Sequence, residues 1–260
     1  MKTNYHTHSE YCGHAEGTLN DYIKKACSLG LTALGFSEHA PFPGDPFGMR
    51  MPFNMLPNYV KELCSLRKHY ADKISLHIGL EAEYLPMYES YYPMLLSDYD
   101  IEYMIMGQHF FIGPDGRCYN LYDNSFPSEY LISHSKNMIQ GMQTGYFKYI
   151  AHPDLMFIRD FSMDANCMKA ISILVDGSAQ GNFILELNAN GFRRGKHEYS
   201  DGLRYQYPVD IFWKEVANAH IPVIIGSDCH SHTIICDKHT EYAKEYADTL
   251  GLNLLDKLDI

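Results

Sequence analysis

TLNDYIKKACSLGLTALGFSEH, residues 18 to 39, carries two hydrophobic periods in succession. In its first half, TLNDYIKKACSLG, apolar residues recur three or four apart, the spacing of one helix face. After Gly30, LTALGFSEH is a short apolar run closed by polar residues, the mark of a buried strand. The same pairing recurs along the chain. Candidate strands are NYHTH, LTALGFSEH, ISLHIGLEAEY, IEYMIMGQHFF, KYIAHPDL, FILELNANG and IPVIIGSDCH, and each gap between them shows helical spacing. An eighth helical stretch, HTEYAKEYADTLG, follows the last strand. Strict alternation implies a parallel sheet with helical crossovers, and seven units suggest an α/β barrel with one unit fewer than usual. A doubly wound open sheet is the alternative.

The 260 residues are read as a single domain, 1–260, large enough to bury a substantial core. The 46% hydrophobic and 20% charged fractions are ordinary, and no apolar run is long enough to span a bilayer, so no membrane partner is expected. A histidine cluster stands where a signal segment would lie, which places the expected location in the cytoplasm. Seven cysteines without a CxxC pair are read as reduced and structural. A formal net charge of -11 repels phosphate backbones, so no nucleic-acid partner is expected. One irregular stretch, APFPGDPFGMRMPFNMLP at residues 40 to 57, is rich in proline, glycine and aromatics and reads as a lid folded onto the body.

Ligand-capable side chains collect at strand ends. His6 and His8 end the first strand and share a face by the two-residue period. His39, Glu81, His109 and His152 end the next four, and Asp228 and His230 repeat the two-residue spacing on the last. In a parallel barrel these ends open on one face, so the residues converge there. His69, His77, His134, His220, His232 and His239 fall elsewhere and are read as structural or solvated. Histidines with two carboxylates and no thiolate suit zinc, manganese or iron better than magnesium.

The blocks HTHSEYCGHA, GFSEHAPFP, GLEAEY, GQHF, AHPDL and GSDCHS, in that order, resemble the polymerase-and-histidinol-phosphatase (PHP) superfamily of metal-dependent phosphoesterases. Their spacing is similar to that of the stand-alone histidinol-phosphate phosphatases. The resemblance implies a distorted (β/α)7 TIM-like barrel with its metal site at the C-terminal face. It implies three divalent transition-metal ions: one held by His6, His8, Glu81 and Asp228, a second by Glu81, His109 and His152, and a third by His14, His39 and His230. Relatives often carry a smaller residue where GQHF has Gln108. The implied activity is metal-dependent hydrolysis of the small-molecule ester L-histidinol phosphate, with another small phosphate ester such as phosphotyrosine as alternative.

Asp228, Arg159 and His197 are the candidate catalytic residues. Arg159 is expected to grip phosphate through its guanidinium fork, and His197 to protonate the leaving alkoxide. Arg193 and Arg194 either assist the phosphate or solvate their loop. Glu10 and Glu38 stand beside ligands as possible acceptors for imidazole N–H groups. An exonuclease is disfavoured by the charge, and a non-catalytic metal-bearing module by the complete ligand set.

Overall fold

The computed structural model of the protein describes residues 1–122 and 126–260. Its first half alternates as the hydrophobic periods require: β1 (Thr3–Asn4), α1 (Leu19–Ser28), β2 (Ala33–His39), α2 (Leu56–His69), β3 (Ser75–Ala82), α3 (Tyr91–Asp98) and β4 (Tyr103–Met106). Helix α1 starts at a capping box in which Thr18 and Asp21 satisfy each other's backbone N–H groups, and it buries Leu19, Tyr22, Ile23 and Ala26 on one face.

An antiparallel hairpin, β5 (Phe110–Ile112) with β6 (Cys118–Asn120), interrupts the alternation before α4 (Tyr130–Gln143), β7 (Tyr149–Ile150), α5 (Ala165–Gly181) and β8 (Ile184–Asn188). A short α6 (Ala189–Arg193) leads into a second hairpin, β9 (Lys196–Tyr199) with β10 (Gly202–Tyr205). The chain ends with α7 (Asp210–Asn218), β11 (Pro222–Gly226), α8 (Lys238–Leu250) and β12 (Asn253–Leu254). Among the described residues no helix is long and apolar enough to cross a membrane.

One parallel sheet holds the order β1-β2-β3-β4-β7-β8-β11-β12. It curls until its first and seventh strands meet. Past β1 and β11 the chain forms a parallel bridge between Thr7 and Cys229, with His8 N donating to Cys229 O (3.1 Å) and Asp228 N to His6 O (2.9 Å). At the opposite end β12 lies beside β11, and Leu258 joins a small cluster with Tyr5, Tyr103, Tyr149 and Ile224. The larger apolar core lies between sheet and helices. The ring is thus the expected seven-unit barrel, with β12 as an additional short strand.

The fourth strand is shorter than its apolar run suggests. It stops at Met106 because Gln108 replaces the ladder with its side chain: Oε1 accepts from Tyr84 N (2.9 Å), and Nε2 donates to Tyr84 O (2.9 Å). Phe110 and Phe111, expected to continue it, turn away into the hairpin. The segment 40–57 does fold down: Phe42 is fully buried, and Phe47 and Phe53 pack against the core. Its last two residues already belong to α2.

Candidate metal centre

The period of two along the first strand brings His6 and His8 face to face, their Nε2 atoms 3.1 Å apart and both side chains fully buried. Glu81 and Asp228 complete the group. His6 Nε2 lies 3.5 Å from Glu81 Oε2 and 3.6 Å from Asp228 Oδ1, and His8 Nε2 lies 3.4 Å from each. Ligands about 2.0–2.1 Å from a tetrahedral cation stand about 3.3–3.4 Å from one another, which is the spacing found here. Buried Glu81 Oε2 makes no well-aligned hydrogen bond despite complete enclosure, a costly arrangement that a bound cation would relieve. The donor set fits a transition metal.

Glu81 faces two ways. Its Oε1 lies 2.8 Å from His152 Nε2 and 3.7 Å from His109 Nε2, while Oε2 lies 2.9 Å from His39 Nδ1. The rings of His14, His39 and His230 gather on the outer side of His8, with His14 centred 5.3 Å from His39 and 4.7 Å from His230. His14 itself is exposed at the mouth, and its Nδ1 is engaged by Cys12 O at 3.0 Å. All nine expected ligand residues therefore lie in one cluster that includes Glu81. His152 and Asp228 reach it from left-handed backbone, at φ 31° and 45°, a strain the surrounding hydrogen bonds hold in place.

The charges are matched to ligation. Burial would raise the carboxyls of Glu81 and Asp228, but neighbouring imidazoles outweigh it and hold both well below the usual range. Burial, with adjacent imidazoles adding to it, lowers His8, and it lowers His230 to about 4, so both present lone pairs at neutral pH. His6 and His109 shift the other way: burial opposes, but carboxylates around each prevail.

The acceptors behind the ligands were the part the sequence reading missed. Glu186, from the strand that had no assigned ligand, takes His6 Nδ1 at 2.8 Å through Oε1 and His152 N at 3.1 Å through Oε2. Asn188 donates to Glu186 Oε2 (2.8 Å) and Asp228 Oδ2 (3.1 Å). Glu83 takes His109 Nδ1 at 3.0 Å. Signals for both acids existed: Glu186 interrupts the buried apolar run ILELN, and Glu83 repeats Glu81 two residues on, on the same face. Glycines make room for the carboxylates, since a Cβ at Gly107 would collide with Glu81 and one at Gly226 with Glu186.

Glu38 is buried and bonded by Ser9 N and Ser9 Oγ, and burial pushes its carboxyl up to about 8. Its other oxygen and His8 Nδ1 both lack hydrogen bonds. Glu10, the other candidate acceptor, is exposed. His134, read as structural, is buried in α4 with Nε2 2.8 Å from Gln108 O, so it braces the segment that carries His109.

A cavity of about 650 Å³ opens above the cluster, walled by Arg50, Phe110, Tyr122, Asn190, Arg194 and Tyr207. Two of the sequence candidates lie away from this wall. His197 is exposed on β9, where pairing with Arg204 of β10 turns the strand outward, and its Nε2 meets Arg194 O at 3.2 Å. It is not among the described residues of the cavity wall. Nor is Arg159, whose guanidinium lies over Phe126 and Phe161 at 4.5 and 4.9 Å from the ring centres. Of the two arginines left open, Arg193 is locked to Asp237 and Ser227, and Arg194 lines the cavity. All seven cysteines are free, and Cys229 is buried in the core away from its ligand neighbours.

Residues 4–190 match the PHP domain family. The chain belongs to that family. A PHP-family relative from Deinococcus radiodurans, named "Probable histidinol-phosphatase", is 29% identical over 259 residues, spanning 95% of this chain and 93% of the relative. The histidinol-phosphatase of Bacillus subtilis is 25% identical over 257 residues, spanning 88% and 94%. The crystal structure of histidinol phosphate phosphatase from Lactococcus lactis subsp. lactis, complexed with zinc, L-histidinol and phosphate, shares the PHP fold. Its TM-score is 0.71 at 18% identity, over 100% of this chain and 99% of that one. Asp228 and His230 lie beyond the residues matched to the family, just past the strand that closes the ring.

Proposed function

We propose that this PHP-domain protein is a metal-dependent phosphomonoesterase that hydrolyses L-histidinol phosphate to L-histidinol and phosphate, the phosphatase step of histidine biosynthesis. The observation that carries the reading is the gathering of nine ligand-type side chains, Glu81 among them, in one cluster, in a chain whose near-full-length relatives are named histidinol-phosphatases. His6, His8, Glu81 and Asp228 would hold one ion, Glu81, His109 and His152 a second, and His14, His39 and His230 a third, as zinc, manganese or iron. Bound there, such ions supply a water nucleophile at neutral pH and neutralise charge on the phosphoryl group.

The chain's own residues do the positioning. Glu186 and Glu83 fix the His6 and His109 rings so that Nε2 of each faces the cluster. Arg194, on the cavity wall beside Tyr122 and Tyr207, offers the guanidinium nearest to hand for a phosphate. Phe110, Tyr122 and Tyr207 give the organic part of the substrate an aromatic surface. A part for Arg159 or His197 requires either to turn inward from its present place.

The test is phosphate release from L-histidinol phosphate beside phosphotyrosine, phosphoserine and a mononucleotide, with metal content measured before and after chelation. Selective, chelator-sensitive turnover of histidinol phosphate is expected. Turnover of all four alike by fully metallated protein would remove the biosynthetic assignment. In the same assay Arg194→Met is expected to lower kcat/KM about 10- to 100-fold, and His197→Asn to change it less than about twofold.

A further inference from the structure

Glu186 and Glu83 both take the outer nitrogen of a ligand histidine, but they are held differently. The partners of Glu186 are Tyr149, His152 and Asn188, all on the barrel itself. Glu83 is held by the lid. Arg50, from the segment 40–57, donates through Nη1 to Glu83 Oε2 (3.0 Å) and through Nη2 to Glu83 Oε1 (3.2 Å), the oxygen that also meets His109 Nδ1. Nη1 further donates to Ala40 O at 3.0 Å. The side chain is 5% exposed, and its guanidinium lies 5.0 Å from the ring centre of Phe47, with Phe42 and Phe110 at 5.7 and 5.8 Å.

A guanidinium enclosed in this way is not placed to bind substrate. Both of its terminal nitrogens bond the protein, its Nε is buried, and its face lies against aromatics. A planar fork against a carboxylate does fix the plane of that carboxylate. Glu83 in turn fixes the ring of His109, whose Nε2 points at Glu81.

We infer that Arg50 is a positioning residue for the metal centre: the lid, by seating Arg50 on Glu83, sets the orientation of His109 and thereby the retention of metal at that end of the cluster. The inference rests on the reading of His109 as a metal ligand. It makes the lid a structural member of the centre as well as a wall of the cavity, to which Gly48, Met49 and Arg50 contribute.

Chelator titration of metal-loaded protein, with metal analysis of the retained protein, tests this without reference to any substrate. Arg50→Met and Glu83→Gln are each expected to lose one class of ion at about tenfold lower chelator concentration than the unaltered protein. The double variant should be no worse than Glu83→Gln alone, because the effect of Arg50 passes through Glu83. Arg50→Lys, a cation without the fork, should fall between. Phe53→Leu, which alters the lid where it packs on Tyr91 and not on Glu83, should retain all its metal. Unchanged retention in Arg50→Met, or losses that add in the double variant, would overturn the inference. If Arg50→Met fails to melt cooperatively, Glu83→Gln and Arg50→Lys carry the same expectations. Absence of metal from the unaltered protein would instead overturn the reading of the centre itself.

Discussion

At the scale of the residue, the centre is legible where chemistry and position coincide. A histidine or carboxylate at the end of a strand announces itself, and two pairs spaced by two residues announce a shared face. Glu186 and Glu83 do not, because an acid inside a strand reveals its partner only when the sheet is closed and the neighbouring strand is known. His197 shows the converse: a titratable side chain close in sequence to the site can still face solvent. The prediction at this scale concerns Glu186. Glu186→Gln removes a charged acceptor from His6 while keeping the shape, and is expected to weaken metal affinity about 10- to 100-fold. Calorimetric titration of metal into chelated protein reads it, and unchanged affinity would leave Glu186 with a packing role only.

At the scale of the element, helices and parallel strands were visible because each buries one continuous apolar period. The two hairpins were not. Lys196–Tyr199 is mostly exposed and carries no apolar alternation, and Phe110–Ile112 continues an apolar run that belongs to the preceding strand. What anchors these turns is side-chain bonding such as that of Gln108, which sequence periodicity does not register. The junction of α6 and α8 depends on a pair of this kind. Asp237 caps α8 through His239 N and Thr240 N and meets Arg193 Nη2 at 3.0 Å. Burial would raise its carboxyl, but Arg193 and His239 outweigh that and hold it at about 2. A carboxyl depressed on folding contributes stability above its unfolded value, near 3.9, and loses it as pH falls through the folded one. Asn caps a helix as well as Asp. Asp237→Asn should therefore cost about 1 kcal/mol at neutral pH, a modest figure because the pair is partly solvated. Urea denaturation of the two proteins should converge between pH 4 and pH 2, and a constant difference across that range would contradict it.

At the scale of the whole molecule, one end of the barrel is a close-packed apolar plug and the other a polar cluster of buried carboxylates and imidazoles. Only the folded form brings these groups together, so removing cations bound there should lower its stability. At a free concentration 100 times the dissociation constant, a bound ion adds about 2.7 kcal/mol. For a chain of this length that corresponds to a fall in Tm of roughly 5–10 °C on chelation, reversed by adding metal back. A melting curve indifferent to chelator would show the cluster to be stable by itself. The ring's closure adds something further. Ser227 N bonds Asn4 Oδ1 across 223 residues, and His6 and His8 face Asp228 over the same seam. Joining segments so distant is entropically slow, and it waits on β11 to be synthesised. On a nascent chain the metal-binding pocket is therefore assembled late: an ion captured there acts as a clasp fastened only once the segment after β11 has left the ribosome.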